Sequence, residues 1–126
     1  MGTWGSGNLD SDGALDYMGD RSSELIGQIW DSLRDKTSTE ADESDYDELF
    51  VNLEWLLALE AAGLVSGWTL PPVAELDPVT ESWLAAWSEY FDGLAGPEFK
   101  AERRAVIEKT FDRFRALCEK YEARQS

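Results

Sequence analysis

Residues 97–123, PEFKAERRAVIEKTFDRFRALCEKYEA, decide the fold. Phe99, Val106, Ile107, Phe111, Phe114, Leu117, Cys118 and Tyr121 fall on one face of a helix that turns about 100° per residue. No segment of the chain shows the strict alternation of a half-buried strand. Arg103 lies inside the apolar arc, where a guanidinium must either snorkel to the rim or meet a carboxylate.

Upstream, three more amphipathic stretches repeat the pattern. Residues 78–94, PVTESWLAAWSEYFDGL, align Trp83, Leu84, Trp87, Tyr90, Phe91 and Leu94. Asp77 followed by Pro78 is the expected start of that helix, a cap and then a first-turn proline, and Gly96–Pro97 ends it and opens the last one. Residues 46–63, YDELFVNLEWLLALEAAG, are expected to be helical, capped by Ser44 with Asp47 or Asp45 with Glu48, and to stop at Gly63. The first helix is expected to follow Asp12 as N-cap, with Leu15, Met18, Ser22, Leu25, Ile26, Ile29 and Leu33 inward and Trp30 at the edge. Gly67 and the Pro71–Pro72 pair forbid continuous helix in the connection 64–77, where short strands around Leu64–Val73 are the one alternative.

The expected fold is therefore all-α: one domain over residues 1–126 with about four helices, an N-terminal clasp at 1–11 and an acidic loop at 37–45. A chain of 126 residues buries roughly two thirds of its unfolded surface, enough for a core without staples. The six Trp, four Tyr and five Phe read as packing for that core, a ligand-binding aromatic pocket being the less common use.

Cys118 is the single cysteine and there is no histidine, so neither an internal disulfide nor a zinc site of the usual ligands is available. No cofactor or metal is expected. The chain has no apolar run of about 20 residues and its start lacks the basic and apolar regions of a signal peptide, so a soluble cytoplasmic protein is expected. The net charge is −15, and it is uneven: residues 1–63 carry 15 acids against 3 bases, residues 64–126 carry 11 against 8. That sign argues against nucleic acid and anionic membrane as direct partners.

The first 20 residues, MGTWGSGNLDSDGALDYMGD, admit several readings. Gly2 with Ser6 fits an acylation pattern, but one acyl chain binds weakly and the acidic half would be repelled by an anionic surface. Asn8, Asp10, Asp12 and Gly13 match the start of a calcium loop that fails where Gly19 stands in place of its closing glutamate. A structural reading makes the segment a clasp: Gly2, Gly5 and Gly7 allow close approach, and Trp4 is expected to pin the start of the chain into the core. A terminus buried in that way is expected to begin the chain.

In its Trp4, Gly5, Gly7, Asp12, Ala14, Asp16 and Asp20, this segment resembles the bacterial family called domain of unknown function 4259, with Leu9 where that family has Phe and Ser11 where it has Asn. LLALEAAGLVSGWTLPP, residues 56–72, resembles the family's Ala-rich helix. The resemblance implies a small helical bacterial protein of unsettled biochemistry, some of whose relatives have surroundings like those of immunity proteins.

Asp12, Asp16, Asp20 and Glu24 repeat every four residues, so like charges stack on successive turns at about 0.2–0.5 kcal/mol per pair. Arg103 or Arg104 is expected to reach Asp12 and Asp16. Asp20, Glu24, Asp31, Asp35, Glu40, Asp42, Glu43, Asp45, Asp47 and Glu48 remain as an acidic surface. Such a run is ordinarily solvated. Its functional reading is a face that meets a basic protein, as an immunity protein or nucleic-acid mimic does. A self-associating helical module, forming a homodimer, and a carboxylate-only metal protein are the alternatives. Without histidine or a phosphate-binding glycine loop, an enzyme is the less expected class.

Overall fold

The computed structural model describes residues 2–35, 46–91 and 96–125, and within them the chain forms four helices and no strand. They are α1 (Asp12–Arg34), α2 (Asp47–Ala61), α3 (Val73–Tyr90) and α4 (Pro97–Gln125). α1 packs on α2 and α3, and α4 packs on the same two. The four build one core domain in which Ile26, Ile29, Leu53, Leu56, Leu76, Trp87, Ile107 and Phe114 are all but fully enclosed.

Three helix starts differ from the sequence expectation. Ser11, not Asp12, caps α1: its Oγ accepts from the Ala14 N–H at 3.1 Å. Asp12 is the first helical residue instead, where its carboxylate meets the positive end of the helix dipole. α2 starts from Tyr46, which makes no side-chain cap bond, while Ser44 and Asp45 lie outside the described residues. α3 begins at Val73 rather than after Asp77, so Pro78 stands in its second turn. Two demands favour the early start: Leu76 is fully buried, and Asp77 turns sideways to take Arg115 across a two-point fork at 2.9 and 3.2 Å.

The end of α2 is as expected. Gly63 adopts φ 76°, Leu64 N–H donates to the Leu59 carbonyl at 2.9 Å and Gly63 N–H to that of Glu60 at 3.0 Å, the paired bonds of a left-handed helix stop. Gly96 with Pro97 opens α4.

Between α2 and α3 the chain is irregular and is tied to α1 and α4. Ser66 N–H donates to the buried Ser22 Oγ of α1 at 3.0 Å. From α4, the Tyr121 hydroxyl lies 3.1 Å from the Val65 carbonyl and 3.0 Å from Glu60 Oε2. Burial first, then the bond to Glu60, raises the Tyr121 pKa above its ordinary value.

Of the apolar arc on α4, Ile107, Phe111, Phe114, Leu117 and Cys118 are buried, whereas Phe99 and Val106 are exposed. Leu15 and Tyr90 are likewise outside the core, and Leu94 lies beyond the described residues. Burial, with a smaller push from Glu122, lifts the Cys118 thiol to about 12. Tyr46, Phe50, Trp83 and Phe111 form an aromatic cluster with ring centroids 5.4 to 5.9 Å apart.

Candidate functional site

The α1–α2 pair carries acidic residues and also an exposed apolar strip. Met18, Leu25 and Gln28 of α1 and Asn52, Trp55 and Leu59 of α2 recur at helical spacing and line a cleft of about 420 Å³. Gln28, Asn52 and Trp55 continue into a second one of about 600 Å³, bounded by Asp31, Asp47, Glu48 and Val51. Together they form one groove along the two helices. Its apolar lining is uncovered: Trp55 is 62% exposed and Val51 48%, with Leu59 and Leu64 also exposed.

Charge along the groove is one-sided. Glu24, Asp31, Asp47 and Glu48 line it, against the single guanidinium of Arg21. Arg21 pairs with Glu24 at 3.1 Å and Arg34 with Asp31 at 2.9 Å, both within α1 and both solvent-exposed, so each is worth little. Asp20, Asp47 and Glu48 are exposed and make no ion pair with a base among the described residues; Asp35 is exposed too. Glu40, Asp42, Glu43 and Asp45 lie outside the described residues.

The bases of α4 are directed elsewhere. Arg113 binds Glu54 at 2.6 Å and Lys120 binds Glu60 at 2.6 Å, on the side of α2 turned toward α4. Arg115 takes Asp77 and Glu119, and the bond to Asp77 is the largest cause of its raised pKa. Arg104 takes Glu108 at 2.8 Å and Ser88 Oγ at 2.6 Å. The bases of α4 thus neutralise Glu54, Glu60 and Asp77, while the groove acids hold only the exposed pairs of Arg21 and Arg34 within α1, and Asp47 and Glu48 hold no described base.

Arg103 does not meet Asp12 or Asp16, nor does Arg104. The Arg103 guanidinium lies over the rings of Phe50 and Tyr46, 4.9 and 5.4 Å from their centroids. The reason is direction: the end of α4 near Asp16 is its C-terminus, where Arg124 shares a cleft with Asp16, about 31 Å further along the helix at 1.5 Å per residue. Cation–π contact replaces the expected carboxylate.

The N-terminal clasp exists, but Trp4 does not anchor it; that side chain is 57% exposed. The segment is held by its own backbone: Trp4 N–H donates to the Asp10 carbonyl at 3.0 Å, Asp12 N–H to that of Gly2 at 2.5 Å, and Thr3 bridges Ser11. The Asp10 carboxylate accepts from the Gly7 N–H at 2.9 Å, and a Cβ at Gly5 or Gly7 would stand 2.5 or 2.6 Å from Asp10 Oδ2. A side chain at either glycine would displace this carboxylate from its bond to the Gly7 N–H. With Asp12–Asp20 helical, the calcium-loop match has no loop to act through. Among the described residues no three acidic or thiol side chains converge as a metal site. No described helix is long and apolar enough to cross a membrane.

The apolar strip on α2 is the feature that reading one face per helix overlooks. LFVNLEWLLAL, residues 49–59, is apolar on nearly every side, and such a helix calls for cover all round. Leu49, Phe50, Leu53 and Leu56 are covered; Val51, Trp55 and Leu59 are not.

Compared with family models, with curated proteins and with solved structures, the chain matches none.

Proposed function

We propose that this is a non-enzymatic binding protein of the bacterial cytoplasm, whose acidic first half neutralises a basic protein partner in the manner of an immunity protein. The observation that carries the reading is the partition of charge: Arg113 and Lys120 neutralise Glu54 and Glu60, while Asp20, Asp47 and Glu48 meet no described base. On α1, Asp16, Asp20 and Glu24 stack like charges on adjacent turns, a small cost to the free protein that a complementary field offsets, whereas Asp47 and Glu48 sit in the first turn of α2, where the helix dipole favours them. The resemblance of the first 20 residues to domain of unknown function 4259 agrees with this proposal.

Self-association is the second reading, favoured by the exposure of Trp55 and of Trp68, the latter 78% exposed. It predicts a dimer at micromolar concentration in sedimentation, whereas the first reading predicts a monomer until the partner is added.

Capture from the cells' own lysate tests the first reading. Wild-type bait is compared with a variant carrying Asp20→Asn, Glu24→Gln, Asp31→Asn, Asp47→Asn and Glu48→Gln. The expected result is one basic protein held by the wild type, released by salt and missing from the variant. Equal capture by both baits overturns the proposal.

A further inference from the structure

The acidic residues and the uncovered apolar strip lie in one groove, and a partner must satisfy both. We propose that the groove between α1 and α2 seats a basic amphipathic helix of the partner, its apolar face on Trp55 and Leu59 and its Lys or Arg side chains over Asp31, Asp47 and Glu48. The inference rests on the reading that the acidic half meets a basic protein, and adds where and by what element.

The shape calls for a helix. α1 contributes to the groove from Met18 to Ser32 and α2 from Asp47 to Leu59, running in opposite directions, with Asp31 beside Asp47 at one end and Met18 beside Leu59 at the other. That span is about 21 Å at 1.5 Å per residue, or roughly four helical turns. A furrow between two packed helices is the surface into which the ridge of a third helix fits.

The apolar demand comes from α2. Val51, Trp55 and Leu59 follow at intervals of four, so one stripe of large side chains stands uncovered beside the groove. Trp55 is central to it and lines both clefts, the position and residue type that most often dominate an interface.

Charge selects the occupant. Glu24 and Asp31 hold Arg21 and Arg34 only through exposed pairs, while Asp47 and Glu48 hold no described base, so a cationic segment is favoured, with its basic residues gathered toward the Asp31–Asp47–Glu48 end and its apolar residues toward Leu59 and Leu64. A second copy of this chain carries the same net charge of −15, which opposes its docking on this face.

A defined probe tests this on the intact protein: a 16-residue helical Leu/Lys peptide with leucines at i, i+3, i+4 and i+7. Two controls accompany it, a permuted peptide whose leucines alternate and a version with Lys replaced by Glu. Backbone amide shifts and the dissociation constant are measured at low salt. The expected perturbations map to 18–32 and 47–59. Trp55→Ala, at an exposed site that leaves the core intact, weakens binding about tenfold or more. Asp47→Asn with Glu48→Gln weakens it about fivefold, for exposed charge pairs of up to roughly 1 kcal/mol.

Absence of binding, perturbations on another face, equal binding of the permuted peptide, or a self-dimer that Trp55→Ala dissociates each overturn the groove proposal. Charge-dependent binding that ignores Trp55 overturns the groove and leaves the acidic-face reading standing. Binding that ignores the peptide's charge and the Asp47/Glu48 change overturns both.

Discussion

At Gly67 there is no room for a side chain: a Cβ there would stand 2.5 Å from the Tyr121 ring. The Gly67→Ala variant is therefore expected to lose about 1–3 kcal/mol, the usual cost of overpacking, read as a lower urea midpoint. A midpoint equal to wild type would show that Tyr121 yields freely. Cys118 and Tyr121 set an alkaline limit. Both have folded-state pKa values raised above their unfolded values, so their contribution is complete below the unfolded values and lost as pH rises through the folded ones. For Cys118 the window runs from 9.0 to about 12. The melting temperature is expected to fall across it, and less so in Cys118→Ala; an equal fall in that variant rules out the thiol's part. The contacts of Tyr121 with Gly67 and Glu60 could not be read from spacing, because each joins residues far apart in the chain.

The helices themselves were legible, and the starts of α1, α2 and α3 were not. Periodicity found all four, since each must turn an apolar face to the core, and Gly63 and Gly96–Pro97 marked two boundaries through local backbone chemistry. The cap at Ser11 was missed because Asp12, one residue on, is an equally good cap by type; only the bond to Ala14 N–H decides. Ser11→Ala is accordingly expected to cost about 1 kcal/mol in chemical denaturation, and Asp12→Ala distinctly less. The reverse order would restore Asp12 as the cap. Asp77–Pro78 misled for a tertiary reason: burial of Leu76 and the Arg115 fork on Asp77 outweigh a local start signal. In α2 the excess of apolar residues was visible in the sequence, but which of them stay exposed depends on where α1 and α4 lie.

Over the whole molecule, a net charge of −15 repels itself, and most of that excess belongs to the first half. Added salt shortens the reach of the repulsion, so the melting temperature is expected to rise between low and physiological ionic strength. A fall would mean that the ion pairs of α4 outweigh the repulsion. The charge asymmetry was legible from the sequence alone; its division into acids held by α4 and acids left along the α1–α2 groove required the fold. That division is the central claim, and the association rate with the basic Leu/Lys peptide tests it most directly. Stopped-flow measurements at low and high salt, on the wild type and the five-site neutralised variant, are predicted to show fast binding that slows steeply with salt for the wild type alone. Equal rates for the two proteins at low salt would contradict it.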